Sequence, residues 1–437
     1  MNRPGVAGEG EDPPAPRRPA PRSRFRLPRL QTFDSLSAYP DFRLLFIGNF
    51  CANSAQWLQL LTIGWLVRSL TVGSSTSALL VVTVGGLNTL PGLFVGPLAG
   101  VIGDRVDRRK LVIRLQIFMA VFALFFAFMV GAQMVTVWHA YAYVLVSGLC
   151  LTVTQPMRQA MIANVVPRES LGNAFATNVI TIPGTRMIGP FIGGILIATL
   201  GFFWNFTLES FLYAANALLL LRMKMPYYLP RKIAEGQSII VDLVEGFMYV
   251  WRDNRVIIYL TGLSMIPNTL LQPLMFLLPV FTEEVLRRGP EVGGFFLAIN
   301  GLGGVIAALL IASFGFVYRK GQIVVVTAVI SSGLVLLFSH SIILPLAFFL
   351  IMLFAASQTV FRTTNGTLIQ LLVRDEMRGR VTSLQRYSMG FVVLSSLLIG
   401  WFAGVFSVSI ALAVMGVLGL ILSTGAYMVS HQIRAQE

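Results

Sequence analysis

The recurrence of long apolar runs is the feature that most constrains this chain. From Phe42 onward, apolar stretches of about 20 residues follow one another with short polar breaks. A hydrocarbon core about 30 Å thick requires about 20 helical residues, because each residue advances the helix by about 1.5 Å. Charged residues make up only 12% of the sequence, against about 25% in soluble domains. The chain is therefore predicted to be an all-α membrane protein.

Twelve such spans fit the sequence, in two six-helix bundles. We place them at about 43–69, 77–102, 111–131, 137–163, 172–199, 203–222, 255–284, 291–317, 321–339, 343–371, 379–404 and 407–430. The predicted domains are an N-terminal tail (1–40), a first bundle (41–222), a linker (223–253), a second bundle (254–431) and a C-terminal tail (432–437).

The tail and the linker have compositions unlike the spans. Residues 1–40 mix Pro, Arg, Gly and Ala without an apolar period, so we expect a disordered cytoplasmic tail. The linker opens with prolines and charged residues, which stop a helix. Its residues 239–251 are amphipathic and too short to cross a bilayer, so they are predicted to lie along the membrane surface.

Loop charges predict the orientation. Alternate loops hold nearly all the loop cations: Arg105, Arg108, Arg109, Lys110, Arg168, Lys224, Arg231, Lys232, Arg319, Lys320, Arg374, Arg378 and Arg380. The other loops and their edges hold little beyond Arg68, Arg287 and Arg288. Because Lys and Arg accumulate in cytoplasmic loops, both termini are predicted to be cytoplasmic, in a multi-pass protein of the cytoplasmic membrane. Topology also explains the net charge of +14, so no nucleic-acid partner is expected.

The residue types that usually carry chemistry are sparse. The two cysteines, Cys51 and Cys150, lie inside apolar runs, and the three histidines are not clustered. No disulfide framework, metal site or cofactor is therefore expected. No nucleophile–base constellation is visible either, so no enzymatic activity is predicted.

A charged turn joins the second and third spans. It contains Gly100, Gly103, Asp104, Arg105, Asp107, Arg108 and Arg109. The glycines permit close helix approach, and Asp104 is suited to accept hydrogen bonds from amides at a helix N-terminus. The turn resembles the G-x-x-x-D-R-x-x-R-R loop of major facilitator transporters. Its D-R-x-D-R-R variant is similar to that of the drug:proton antiporter branch, the transmembrane secretion effectors that include enterobactin-exporter-like and macrolide-efflux-like proteins.

The resemblance implies the major facilitator fold and transport by alternating access. Two halves would rock about a mid-membrane site, the charged turn would act as a cytoplasmic gate, and a monomer would export an amphipathic drug, macrolide or siderophore-like molecule. Protons are the implied coupling ion, and the lipid bilayer is the other partner. An importer or facilitator of a small nutrient has the same fold and stays open as an alternative. A non-transporting membrane protein is a third.

A second motif lies in the fifth span and contains Gly189, Pro190, Gly193 and Gly194. Glycines at this density let another helix approach closely, and the proline permits a kink. The run resembles the antiporter motif of exporting facilitators, with an altered upstream glycine spacing. Tight packing without directional meaning is the alternative. The glycine-rich eighth span is the expected packing partner.

Charged residues inside spans are the strongest functional candidates. An arginine at mid-membrane costs about 2.5–3.5 kcal/mol on insertion scales, so it needs a partner or a watery cavity. Arg158, Arg186 and Arg362 qualify by position, with a substrate or a structural role; Arg386 has the alternative of snorkelling to the interface. Glu209 is the candidate for proton coupling, because burial favours a protonated carboxyl group. A hydrogen-bonded structural glutamate is the alternative.

Two polar stripes are predicted to face each other across the substrate cavity, since the resemblance places spans 1 and 7 there. The stripes consist of Asn49, Asn53, Gln56 and Gln59, and of Thr261, Ser264, Asn268 and Gln272. Contacts between neighbouring helices are the other reading, because polar side chains do both. An aromatic lining by Phe46, Trp57, Phe276 and Phe281 is also predicted. Glu283 and Glu284 are expected to be solvated at the outer end of span 7.

Overall fold

The computed structural model describes residues 34–96, 106–179, 181–227, 255–314, 319–373 and 391–429, with the single positions 248 and 381. Within these ranges the secondary structure is helical, with no β-strand. The N-terminal tail up to residue 33, most of the linker and the C-terminal tail lie outside them. The predictions for those segments therefore stay predictions.

Fifteen α-helices are described. They are α1 Asp34–Ala38, α2 Pro40–Leu70, α3 Ser77–Phe94, α4 Arg108–Gly131, α5 Val137–Val165, α6 Leu171–Val179, α7 Thr181–Leu200, α8 Phe202–Arg222, α9 Arg255–Met265, α10 Pro273–Glu284, α11 Pro290–Phe314, α12 Lys320–Ser339, α13 Leu344–Leu372, α14 Val392–Val405 and α15 Val408–Val429. A 3₁₀ turn, Arg168–Ser170, precedes α6, and a π-helix, Ile266–Leu270, follows α9.

The helices match a membrane-embedded chain. Within the described ranges, nine stretches are long and apolar enough to cross a bilayer. Two further helices, α2 with 31 residues and α8 with 21, are also long enough to cross a bilayer. A third, α14, is apolar but shorter. A helix or pair of helices therefore lies at each predicted span, while the number of crossings, twelve, stays a prediction. Large side chains on one face of α4, such as Phe125 and Phe128, are exposed, as lipid contact requires.

The helices pack within two groups and across the junction between them. In the first group, α2 packs on α7 and α8, α4 on α8, and α3 on α5. In the second, α12 packs on α13 and α15, and α11 on α13. Across the junction, α7 packs on α11 and α3 on α14, and α10 contacts both α2 and α3. Below, the inner side is the side on which α2 begins and the outer side is the one on which it ends.

Span 7 is not the continuous helix that the sequence predicted. The π-helix and a turn at Leu271 and Gln272 separate α9 from α10. Pro273 has no N–H, so it cannot donate to the carbonyl of Thr269 four residues earlier. The hydroxyl of Ser395 on α14 donates to that carbonyl instead, at 2.6 Å. The break is therefore stabilised by a side chain from another helix.

The glycines of spans 5 and 8 meet, as predicted. A Cβ atom on Gly194 would lie 2.9 Å from the Cα of Gly294, and one on Gly301 would lie 2.6 Å from the backbone nitrogen of Met187. Gly189 faces α2, where a Cβ would lie 2.8 Å from the carbonyl oxygen of Ser54. The second motif therefore lets α7 approach backbones on both sides, one in each helix group.

Candidate transport site

The polar stripe of α2 makes contacts in two directions. Asn49 donates to Asn178 at 3.0 Å, and Asn53 lies 3.5 Å from the hydroxyl of Thr181. Gln59 is 2% exposed and donates to Ser147 on α5 at 2.6 Å. Gln59 thus makes the helix-to-helix contact that the sequence left open as the alternative. Asn53 and Gln56 are partly exposed, so they are the stripe residues best placed to meet a solute.

Arg158 lies beside this stripe. Its side chain belongs to α5 and is 3% exposed. It donates one hydrogen bond, from Nη2 to Oδ1 of Asn53 at 3.0 Å. Its Nε and Nη1 atoms are shielded from solvent and have no hydrogen-bond partner among the described residues. Two donors on this guanidinium are therefore unused.

Arg186 bridges the two helix groups. Its guanidinium carbon lies 4.2 Å from the ring centre of Trp57, one helical turn after Asn53 on α2. It also donates from Nη1 to Asn300 on α11 at 3.3 Å. Stacking on an aromatic face is favourable for a guanidinium, and more so when both groups are shielded from water.

Arg362 contributes a third cation from the second group. It donates from Nη2 to Oε1 of Gln272 at 2.9 Å, and Gln272 lies at the break in span 7. Its helix, α13, packs on α11, the helix whose Asn300 accepts a hydrogen bond from Arg186. The structure thus brings Gln272 and Arg362 together, two of the residues predicted for the cavity.

The rest of the span 7 stripe lies at or before the break. Asn268 is in the π-helix, and its Oδ1 is shielded without a hydrogen-bond partner among the described residues. Ser264 donates to the backbone carbonyl of Thr261. π-Helical turns and broken membrane helices often mark functional sites, because they expose backbone groups and redirect side chains.

Glu209 is enclosed within the first group. It is 1% exposed and accepts a hydrogen bond from the hydroxyl of Tyr143 at 2.8 Å. The ring of Phe126 stacks on that tyrosine, and the ring of Phe206 meets it edge to face. The second carboxyl oxygen, Oε2, has no hydrogen-bond partner within the described part of the chain. The surroundings fit both roles that the sequence left open.

The predicted gate motif is described only in part. Gly100, Gly103, Asp104 and Arg105 lie outside the described residues. Asp107 caps α4 by accepting from the backbone N–H of Lys110 at 3.1 Å. Arg109 donates to the carbonyl groups of Leu220 and Leu221 at 2.8 and 2.7 Å, while Arg108 lies in the first turn of α4. The described part of the motif therefore ties α4 to the end of α8.

The predicted aromatic lining is divided between two places. Trp57 lies beside Arg186, whereas Phe276 packs over Gly85 at the outer contact between α10 and α3. Phe281 is fully buried against Phe338, and Phe46 lies near Phe42 towards the inner side. Of the four, only Trp57 contacts one of the three arginines through its ring, in the described structure.

An ion-pair cluster joins the two groups on the outer side. Arg68, at the end of α2, lies 2.7 Å from Glu283 and 3.1 Å from Glu284, at the end of α10. It also donates to Ser77 at 2.9 Å. The two glutamates are 37% and 45% exposed, as expected of solvated carboxylates, and they also form ion pairs with the buried arginine, which the sequence did not predict. Below this cluster, Gly64 packs on Pro279.

Comparison with known proteins identifies the family. The model of the transmembrane secretion effector family matches residues 33–437. The chain belongs to this family of major facilitator transporters. Its sequence is 24% identical to the staphyloferrin A transporter of Staphylococcus aureus over 90% of this chain and 95% of that protein. It is also 24% identical to the enterobactin exporter EntS of Shigella boydii, over 80% of this chain and 82% of that protein.

Solved structures share the fold of this family member. A bacterial homologue of the human lysosomal transporter Spinster, solved in an inward-facing and unoccupied conformation, is 12% identical with a TM-score of 0.70, covering 90% of this chain and 98% of that one. A D-xylose–proton symporter is 12% identical with a TM-score of 0.67, covering 90% and 98%. The predicted fold, an all-α major facilitator protein, is thereby confirmed.

Sequence reasoning missed several contacts of this transporter. It did not pair Arg186 with Trp57 and Asn300, although Asn300 was visible as a polar residue in an apolar run. It also did not predict the ion pairs between Arg68 and the two outer glutamates. Opposite charges in two outer loops could have indicated this contact. The charged residues are more than two hundred residues apart in sequence, however, so one sequence did not show that they meet.

Proposed function

We propose that this protein is a secondary active exporter that moves an amphipathic drug-, macrolide- or siderophore-like molecule out of the cytoplasm by alternating access. The observation that carries the proposal is the pairing of an outer closure with a polar centre. Arg68 and its two glutamates join the helix groups at the outer side, while Arg158, Arg186 and Arg362 lie along the groups' polar side chains. A solute that enters from the inner side would meet these polar groups before the outer closure.

The name of one relative supports the outward direction. The Shigella relative is named as an exporter, and the Staphylococcus relative as a transporter. The matching family is described as a secretion effector. Direction is therefore the part of the proposal that these names favour.

Proton coupling is part of the proposal, with Glu209 as the candidate carrier. A carboxyl group in a low-dielectric interior tends to take up a proton. Glu209 has one oxygen hydrogen-bonded to Tyr143 and the other shielded without a partner in the described structure. We propose further that Asp104 and the neighbouring arginines latch the cytoplasmic side when the cavity faces outward.

The test is transport by the purified protein in proteoliposomes. A panel of drugs, macrolides and siderophores is offered with and without an imposed pH gradient, in vesicles whose protein orientation has been determined. We expect accumulation on the side corresponding to the cell exterior, enhanced by a gradient that drives protons the opposite way. No accumulation of any compound, or movement without net direction, would contradict the proposal.

An importer or facilitator is the competing function, because the fold and the broken seventh span suit either direction. Inverted membrane vesicles separate the two. An exporter accumulates its substrate inside such vesicles, and acidifying the interior increases that accumulation. An importer instead depletes its substrate from them.

A further inference from the structure

Three arginines, on α5, α7 and α13, form no ion pair with a carboxylate of the described residues. The ion pairs in the described structure join Arg68 to Glu283 and Glu284, and Lys110 to Asp107. Arg158, Arg186 and Arg362 take part in none of them. Glu209 is hydrogen-bonded to Tyr143 and forms no ion pair with any of the three. Three positive charges therefore lie in the membrane interior with only neutral hydrogen-bond partners in this part of the chain.

Each arginine has at least one guanidinium nitrogen that donates no hydrogen bond to a described residue. Arg158, which is 3% exposed, has Nε and Nη1 free of hydrogen bonds to described residues. Nε is likewise shielded and without such a partner in Arg186 and in Arg362. A shielded donor without an acceptor is costly, and a buried charge without a counter-charge, such as that of Arg158, is more costly still. An acceptor carrying negative charge would satisfy both requirements.

The cations are divided between the two helix groups. Arg158 and Arg186 belong to α5 and α7, and Arg362 to α13. Arg186 donates to Asn300 on α11, and α11 packs on α13, the helix that carries Arg362. An anion between these two cations would be attracted to both, so its binding would draw the groups together. A guanidinium also binds carboxylate oxygens through parallel hydrogen bonds.

The neighbouring side chains fit an organic anion. Asn53, Gln272 and Asn300 each accept a hydrogen bond from one of the arginines, which holds the guanidinium groups in place. Trp57 offers a partly exposed aromatic surface beside Arg186. A flat apolar portion of a solute can pack there while its charged groups meet the arginines.

We infer that the substrate is an organic polyanion, with at least two carboxylate-like groups that bind Arg158, Arg186 and Arg362 and an apolar portion that packs near Trp57. The inference rests on the proposed function and narrows its substrate class. One anionic group binds the first helix group and another binds Arg362. The substrate thereby bridges the two halves that must move.

The test is binding to the purified full-length protein in detergent, with probes that share a naphthalene ring and differ in the charge of its two substituents. Naphthalene-2,6-dicarboxylate, its monomethyl ester, its dimethyl ester and 2,6-bis(aminomethyl)naphthalene form the series. We expect the dicarboxylate to bind about tenfold or more tightly than the monoester, with weaker binding still by the uncharged and cationic members. Equal binding of the diester, preference for the diamine, or no binding of the dicarboxylate at millimolar concentration would overturn the inference.

Variants connect the binding to the arginines. Arg186→Gln and Arg362→Gln are each expected to weaken dicarboxylate binding about tenfold or more, and Arg186→Lys and Arg362→Lys to restore part of it. Arg114→Gln is the matched control, because Arg114 is an exposed arginine on α4. Size-exclusion profiles and melting temperatures report whether each variant folds. Unchanged dicarboxylate binding in both folded Gln variants would also overturn the inference.

A parallel transport measurement separates this inference from the proposed function. Proteoliposomes are offered the dicarboxylate and a permanently cationic naphthyl trimethylammonium compound. Binding of the dicarboxylate without transport of any compound counts against the exporter alone. Transport of the cation with rejection of the dicarboxylate counts against the polyanion alone.

Discussion

At the scale of single residues, the break in span 7 shows how one missing donor is compensated. Pro273 has no N–H to donate to the Thr269 carbonyl, and Ser395 on α14 donates its hydroxyl to that carbonyl at 2.6 Å. The prolines were readable from the sequence, and their effect on the helix follows from covalent chemistry. The partner was not, because it depends on how two distant helices pack.

Replacing Ser395 tests this compensation. Ser395→Ala removes the hydroxyl that donates to the Thr269 carbonyl, so we expect the free energy of unfolding to fall by about 0.5–1.5 kcal/mol. Denaturant unfolding in detergent measures the change. Ser74→Ala, in an exposed loop whose hydrogen bond joins two exposed side chains, serves as control and should change little. An equal loss in both variants would argue against the role of Ser395.

Glu209 offers a second residue-scale prediction. If it carries the proton, Glu209→Gln should abolish the dependence of transport on an imposed pH gradient, because the amide does not titrate. Tyr143→Phe removes the 2.8 Å hydrogen bond but keeps the carboxyl group, so it should shift that dependence without abolishing it. Transport assays across a series of gradients distinguish the two. A folded Glu209→Gln protein with unchanged gradient dependence would favour the structural role.

The charged candidates show where sequence reasoning stops at this scale. The high cost of an arginine in hydrocarbon made Arg158, Arg186 and Arg362 visible from their positions alone. Their neighbours Asn53, Trp57 and Gln272 were also proposed for the cavity, but the pairing among them was not. Side-chain contacts between helices depend on helix rotation and crossing geometry, which one sequence does not reveal.

At the scale of helices, the backbone contact between α7 and α11 joins the two groups most closely. Gly194 and Gly294 face each other, so a side chain on either would meet backbone atoms that cannot move aside locally. The glycine pattern predicted this pairing because close helix approach in a membrane requires small residues. The antiporter role of the motif stays a prediction.

Adding one methyl group tests the helix contact. In Gly194→Ala the new Cβ would lie 2.8 Å from the carbonyl oxygen of Pro290 and 2.9 Å from the Cα of Gly294. We expect a loss of about 1–3 kcal/mol in the free energy of unfolding, with impaired transport. Gly262→Ala is the matched control, since no atom lies within 4 Å of its added Cβ. The control should be neutral or stabilising by up to about 1 kcal/mol; similar losses in both would refute the contact.

The spans themselves were largely predictable, and their interruptions were not. Hydrophobic length placed a helix at each predicted span, because an unpaired backbone is too costly in lipid. The same rule predicted a continuous helix for span 7 and did not predict the break where α9 ends and the π-helix begins. Span 7 contains three prolines, Pro267, Pro273 and Pro279. The length of an apolar run takes no account of prolines, so it did not predict an interruption.

At the scale of the whole molecule, the outer ion-pair cluster stabilises one arrangement of the two groups. Arg68 is largely buried, with a side-chain exposure of 10%, while its glutamate partners are 37% and 45% exposed. Partial exposure screens the attraction, so we expect the cluster to contribute about 1 kcal/mol or less, as exposed ion pairs do. A contribution of that size suits a contact that would break in each cycle of the proposed alternating access.

Neutralising the glutamates should therefore open the outer side more often. Leu60 is partly buried in the apolar contact between the groups. In a background without Cys51 and Cys150, the thiol of Leu60→Cys therefore reports how readily a reagent reaches that contact. With Glu283→Gln and Glu284→Gln, we expect a membrane-impermeant maleimide to react about fivefold faster. Glu291→Gln, a carboxylate on the same side that forms no part of the cluster, is the control. An unchanged rate in the double variant would rule out a role for the cluster in closure.

The most direct test of alternating access follows two distances at once. Spin labels at Ser74→Cys and Arg287→Cys span the outer side, and labels at Glu169→Cys and Leu371→Cys span the inner side, in the background without Cys51 and Cys150. Double electron–electron resonance is recorded for each pair in proteoliposomes, with and without a compound that the protein accumulates. We predict that the outer distance lengthens as the inner one shortens. Two distances that stay fixed, or that lengthen together, would contradict the rocking of two bundles about a shared site.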